Sequence, residues 1–179
     1  MASRPYRWLI VLFGLPALAI GLMFLIGGFL PKEHTAAARI VLTPDPETVW
    51  DIITDFGNQA SWRTDVTSME PLPDDGSHPG WREVPSGVAF RVTRSEPPRE
   101  LETTIEPGLP FGGRWVYRLE PAETGTRLTL VEEGRVDPPL FRFMARFVFG
   151  HHSTLETYLE GLAAHVGAQG EVQRISETE

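Results

Sequence analysis

Few residues in this chain have the type and spacing that chemistry requires. His151 and His152 are adjacent. On a helix, neighbouring side chains diverge by about 100°, so the pair cannot readily clamp one metal ion, and His34, His78 and His165 do not stand at ligand spacing. His151 alone is a candidate hydrogen-bonding group in a binding cavity. Glu47, Asp51 and Asp55 recur every four residues, the spacing of paired carboxylates but equally of a solvated acidic helix face. Glu132 and Glu133, if on a strand, point to opposite faces, so one of them faces inward. With no cysteine, disulfides, thiolate metal sites and a cysteine nucleophile are excluded. No nucleophile elbow, HExxH, phosphate-binding loop or dinucleotide fingerprint is present. The catalytic residues stay unknown, and neither a metal nor a cofactor is implied.

One charge anomaly stands out. The stretch from Arg135 to Ser153 combines Arg135, Arg142 and Arg146 with Phe141, Phe143, Phe147 and Phe149, opposed only by Asp137. Arg142 and Arg146 form an i, i+4 ridge. The bland reading is a half-helix buried on most sides. The sharper one makes Arg142, Arg146 and Phe143 membrane-contact residues, since interfacial helices pair buried aromatics with arginines near lipid phosphates.

That anomaly belongs to an acidic chain. The net charge is −8; residues 1–30 hold two arginines and no acid, so residues 31–179 carry 14 basic and 24 acidic side chains, net −10. Such a domain is a poor tracker of phosphate backbones, and nucleic acid is not an expected partner.

The elements that must position these residues begin with an anchor. From Trp8 to Leu30 no residue is charged, a run long enough to cross a hydrocarbon core of about 30 Å as a helix. Tyr6 and Trp8 precede it as interfacial aromatics, and Pro16 lies within it. A signal peptide cut near Ala36-Ala37-Ala38 is the rival reading, but the run exceeds the usual apolar region. Arg4 and Arg7 against Lys32 and Arg39 favour, slightly, an internal N-terminus with the main domain outside the cytoplasm. The expected organisation is a tail and transmembrane helix over 1–30, a tether over 31–37, a domain over 38–168 and a polar flexible tail over 169–179.

Within the domain, Ala38–Thr43 reads as a strand. Thr43-Pro44-Asp45-Pro46-Glu47 then supplies a cap, a proline at the first helical position and an early acid. Val49, Trp50, Ile53 and Phe56 make one helix face, and Gln59–Trp62 a second short helix or turn. Six alternating segments follow: 66–69, 81–84, 88–94, 100–106, 114–120 and 127–136, separated by Pro/Gly/Asp turns. Pro138 to about Gly167 predicts a long amphipathic helix, with Gly150-His151-His152-Ser153 as a kink or restart. The class is α+β: a curved antiparallel sheet of about seven strands around a C-terminal helix, in the order β-α-α-β6-α, behind one transmembrane helix.

This order resembles the START-like helix-grip superfamily, in particular its polyketide cyclase/dehydrase and lipid-transport branch. The likeness is carried by Arg39-Ile-Val-Leu-Thr-Pro-Asp-Pro-Glu-Thr-Val-Trp-Asp-Ile-Ile-Thr-Asp-Phe, by Asn58-Gln-Ala-Ser-Trp62, and by Phe147-Val-Phe-Gly-His-His-Ser-Thr-Leu-Glu-Thr-Tyr-Leu-Glu-Gly-Leu. Arg63-Thr64-Asp65 stands where family members commonly place a proline. The resemblance implies a ligand cavity between sheet and final helix, with Trp62, Trp81, Phe90, Phe111, Trp115, Tyr117, Phe141, Phe147 and His151 as lining candidates. The implied function is membrane-anchored binding or transport of a hydrophobic, lipid-like small molecule, with the bilayer as partner. The alternatives are a cyclase- or hydratase-type enzyme using the same cavity, with His151, Tyr117 or Glu132 moving a proton, and a ligand-free protein-interaction module.

Overall fold

The computed structural model describes residues 10–74, 76 and 78–176. Arg4, Tyr6, Arg7 and Trp8 of the expected anchor flank lie outside the described residues, as do 177–179 of the expected tail. The chain opens with a π-helical turn, Ile10–Gly14, and a helix, α1, Leu15–Phe29. Leu12–Phe29 is long and apolar enough to cross a membrane, with a mean hydropathy of 2.1. Pro16 falls in the first turn of α1, directly after the π-helical turn, where its missing N–H costs least.

β1 follows at Glu33–Leu42, then α2 at Pro46–Thr54 and a 3-10 turn at Phe56–Ser61. The start of α2 is as the residues require. Asp45 accepts a hydrogen bond from the Thr48 amide at 2.9 Å, Pro46 opens the helix, and that bond lowers the Asp45 pKa. The meander comprises β2 Ser68–Pro71, β3 Gly80–Val84, β4 Ala89–Glu96, β5 Glu100–Ile105, β6 Phe111–Pro121 and β7 Thr126–Val136. Then come α3, Pro139–Met144, a π-helical turn Ala145–Phe149, α4, Ser153–Val166, and β8, Gln173–Ile175. All strands join one antiparallel sheet in the order β2-β3-β4-β5-β6-β7-β1-β8.

Three boundaries differ from the sequence expectations. β1 starts at Glu33, inside the expected tether, because it pairs with β7 as far as Glu33 opposite Arg135. The sheet has eight strands, not seven. β8 adds to the free edge of β1, and its Ile175 covers the small outer patch of Ala37, Val116 and Val131; one apolar side chain in a polar stretch suffices when an edge is open. The terminal helix restarts where Gly150-His151-His152-Ser153 predicted a kink or restart, and what differs is that its first piece leaves the sheet. Gly150, at φ 78° and ψ 152°, breaks the helix, and only α4 lies on the sheet. The piece before the break, residues 139–149, forms an arm beside α1. Gly27 is buried there, and a Cβ on it would stand 1.9 Å from the Pro139 carbonyl oxygen.

The core lies between the inner sheet face and α2 and α4. Leu128, Leu130, Leu42, Leu155, Leu159 and Leu162 are wholly buried. The outer face carries ion pairs: Arg94, Arg114 and Arg118 meet Glu96, Glu100, Glu102 and Glu133. These neutralise one another at the surface and contribute little to stability.

Inside, Arg63 is the exception among the arginines. Its side chain is 5% exposed and donates to Glu83 at 2.6 Å and to Gln59 at 3.2 Å, while Nη2 pairs with Asp65 at 2.5 Å. Burial opposes its charge, but Asp65 and Glu83 outweigh burial and hold its pKa above the usual range. Removing the cation would leave Glu83 buried without a partner. Arg63→Met is expected to destabilise the domain by about 3–5 kcal/mol. Thermal unfolding should show a drop on the order of 10 °C, and Glu83→Gln in the same chain should recover part of it; an unchanged midpoint would remove this ion pair from the core's account.

Candidate functional site

The sheet register decides which side chains share the inner face. Thr103, Trp115, Glu132 and Ala36 are cross-strand neighbours in one row; Leu101, Tyr117, Leu130 and Ala38 form the next. One step the other way, Gly113, Gly134 and His34 align at the end of the sheet nearest α1. Of the acidic pair, Glu132 therefore faces inward and Glu133 outward, where it meets Arg114.

Five of the nine lining candidates, Trp62, Trp81, Phe90, Trp115 and Tyr117, belong to one cluster with Phe56 and Tyr158. Their ring centroids are 4.1 to 6.4 Å apart: Phe56 stacks on Trp81, Trp81 on Phe90, and Tyr158 stands edge-on to Trp62, Trp115 and Tyr117. Arg63 sits over the Tyr158 ring at 5.3 Å. The rings thus pack into the space beneath α4, where the family resemblance implied a hollow. Burial drives the Tyr117 and Tyr158 hydroxyl pKa values upward, which makes either a poor proton carrier near neutral pH.

The remaining candidates divide. Phe111 is half-buried opposite Val136 at the sheet end. Phe141 and Phe147 are exposed on the arm, because the break at Gly150 takes residues 139–149 off the sheet. Phe143 packs on Phe147 at 4.9 Å, and Val148 and Phe149 are exposed beside them. His151 lines an open volume.

That volume is a cleft of about 440 Å³ between the segment 30–35 on one side and Val136, Arg142, Ala145, Arg146 and His151 on the other. It lies where α1 ends and β1 begins. His34 and His151 stack in it with ring centroids 4.0 Å apart. Gly134 makes room for this: a Cβ there would stand 2.3 Å from the His34 ring. Behind the stack, Glu132 Oε1 lies 3.6 Å from His34 Nε2, while Glu132 Oε2 is buried without a hydrogen-bond partner. Arg142 donates from Nη1 to the Leu30 carbonyl at 2.6 Å, and its Nε is buried and unpartnered. The arrangement offers donors and cations at one end of the cleft and exposed apolar rings on the adjoining arm. Nothing in the sequence paired His34 with Glu132; the local signal was Gly134 opposite His34, with Gly113 opposite Gly134 on the next strand.

Burial first, then His34 and Arg146, lower the His151 pKa below its ordinary 6.5, against the pull of Glu132. The unfolded chain therefore takes up this proton more readily than the folded one. Stability tied to His151 is complete above about pH 6.5 and is lost as pH falls through and below that value. The thermal midpoint of the wild type should fall relative to His151→Gln between pH 7.5 and 5; parallel curves would show that the stack carries no such linkage.

A family model described as polyketide cyclase / dehydrase and lipid transport matches residues 33–167. Among solved structures, a protein from Chromobacterium violaceum is 23% identical over 78% of this chain and 100% of its own, with a TM-score of 0.53. A START superfamily protein from Mycobacterium smegmatis is 17% identical, covering 74% of this chain and 97% of its own at a TM-score of 0.58. The di-domain ARO/CYC StfQ from the steffimycin biosynthetic pathway is 11% identical, covering 75% of this chain and 51% of its own, also at 0.58. These likenesses establish the shared helix-grip fold. No curated protein matches the chain.

Proposed function

The chain belongs to the polyketide cyclase / dehydrase and lipid transport family, and from that premise we propose that it is a membrane-anchored module that holds a hydrophobic amphiphile in the cleft at the end of α1. Residues 1–30 form the anchor in this reading and 38–168 the binding domain; in the orientation that the basic residues favour, the domain lies outside the cytoplasm. The observation that carries the reading is the position of the cleft. It opens between the residue that ends the apolar helix, Leu30, and an arm whose Phe141, Phe147, Val148 and Phe149 are exposed. Exposed apolar side chains beside a spanning helix have a lipid phase to enter. The volume, about 440 Å³, suits a small molecule or one end of a longer one.

The family also admits a cyclase-type activity. One observation favours it here: His34 and His151 stack in the cleft lining, and Glu132 stands behind them 3.6 Å from His34 Nε2, a carboxylate backing an imidazole as proton-moving groups require. This second reading uses the same cleft.

Native mass spectrometry of the full chain after mild detergent extraction tests the proposal. A co-purifying adduct of amphiphile mass is expected, and Ala145→Trp, which fills the cleft without changing its charge, should reduce its occupancy about tenfold or more. Protein free of adduct in several detergents, or an adduct indifferent to Ala145→Trp, would overturn the reading; the first outcome leaves the interaction module. An adduct that the wild type chemically alters and Glu132→Gln or His34→Gln does not would favour the enzyme.

A further inference from the structure

Arginines in this acidic domain are matched almost everywhere. Arg63, Arg91, Arg94, Arg114, Arg118, Arg127, Arg135 and Arg174 each meet a carboxylate. Arg39 is held by Gln173 and Arg82 by the Gly87 carbonyl, while Arg99 stands at an exposed hairpin turn. Arg142 and Arg146 also lack a carboxylate partner among the described residues, and they differ from these three in lining the cleft together. Lys32, a third cation lining it, is already engaged by Asp137 at 3.4 Å. The acid in the cleft lining is Glu33, on the exposed rim; Glu132 lies behind His34, 3.6 Å from its Nε2.

Two guanidiniums on one cleft repel each other at short range, and an anion between them would be attracted by both. The local geometry suits one. Arg142 and Arg146 are one helical turn apart, so their side chains share a face of the arm. The Nη1 bond to the Leu30 carbonyl fixes Arg142 and leaves its buried Nε unpartnered. Two planar, permanently charged donor groups match the oxygens of a phosphate or carboxylate. The volume accommodates such a head with the first carbons of its chains, not a whole diacyl lipid. Chains leaving the cleft would pass along α1 and the exposed Phe147–Val148–Phe149 edge of the arm.

We propose that the cleft is an oxyanion receptor in which Arg142 and Arg146 bind the phosphate head of an anionic amphiphile beside the anchor. This rests on the reading that the cleft takes an amphiphile, and adds its headgroup class. Recognition is then by charge at the head, with the tails left in the bilayer. The arm serves as the receptor's outer wall, and the Gly27–Pro139 contact holds that wall against α1.

The full chain in neutral detergent micelles can be titrated with phosphatidylglycerol, phosphatidylcholine or inorganic phosphate and read by native mass spectrometry. Phosphatidylglycerol occupancy is expected to exceed that of phosphatidylcholine at least tenfold, and to fall by a similar factor in Arg146→Gln. That variant changes an exposed, unpaired side chain, so an unaltered thermal midpoint is expected beside the lost binding. Arg142→Gln should weaken binding further but also frees Leu30; it serves as a second variant, not the deciding one. Equal retention of the two lipids, or unchanged phosphatidylglycerol occupancy in Arg146→Gln, overturns the headgroup assignment while leaving the amphiphile reading intact if Ala145→Trp still blocks adducts. Inorganic phosphate binding with no lipid retained assigns the site to a free phosphoryl ligand and overturns both. Absence of any adduct in wild type overturns both readings.

Discussion

The contact on which the rest of the architecture depends is that of the aromatic side chains between sheet and α4. Tyr158 on α4 meets Trp62, Trp115 and Tyr117 edge-on, and Trp81 bridges Phe56 and Phe90. A helix-grip sheet curves because it must cover a helix, and what lies under the helix can be side chains or space. Here large rings meet at van der Waals distance, and protein interiors gain dispersion energy from such contact. The buried Arg63, fixed by Gln59, Asp65 and Glu83, ties the 3-10 turn to β3 at the edge of this cluster. Once that space is taken, open volume has to arise elsewhere in the fold.

It arises where the sheet outruns α4. β1, β6 and β7 extend past the aromatic row to Gly113, Gly134 and His34. α4 begins only at Ser153, so no helix covers this end. The break at Gly150 sends the preceding residues away from the sheet and against α1. The gap between arm, α1 and sheet end becomes the cleft. Its polarity follows from the same geometry. Strand parity turns Glu132 inward, cross-strand pairing sets His34 over a glycine, and the helical repeat places Arg142 and Arg146 on one side. An apolar edge next to a polar, cationic recess is the pattern that an amphiphile complements, with head and tails in the environments each prefers.

The same arrangement sets the family's fold directly against an apolar helix. The family supplies a domain that binds hydrophobic ligands or acts as a cyclase, and fold alone does not choose between them. In this chain an apolar helix joins the domain within three residues of β1, with Leu30, Pro31 and Lys32 between. So short a connection leaves the end of the sheet close to wherever α1 resides. Burial, with His34 and Arg146 nearby, favours the neutral form of His151 beside the two arginines.

Much of this was legible before any coordinates. Period-two segments located all six meander strands to within a few residues, the Asp45-Pro46 signal placed α2, and the uncharged run identified the one helix among the described residues long and apolar enough to cross a bilayer. Those features depend on neighbours a few positions apart, so local pattern suffices to specify them. Others depended on partners about a hundred residues away. Extension of β1 to Glu33 required Arg135; the setting of His34 required Gly134 and His151; the course of the arm required Gly27 against Pro139. The nine lining candidates shared only aromatic or imidazole character, which the sequence could count but not sort into packed core, exposed arm and open cleft. The sequence thus determined the elements, their order and the family, because secondary structure follows short-range periodicity and capping. Only the tertiary structure decided where open space remains, because a cavity is the volume that distant side chains fail to occupy, and no local pattern records it.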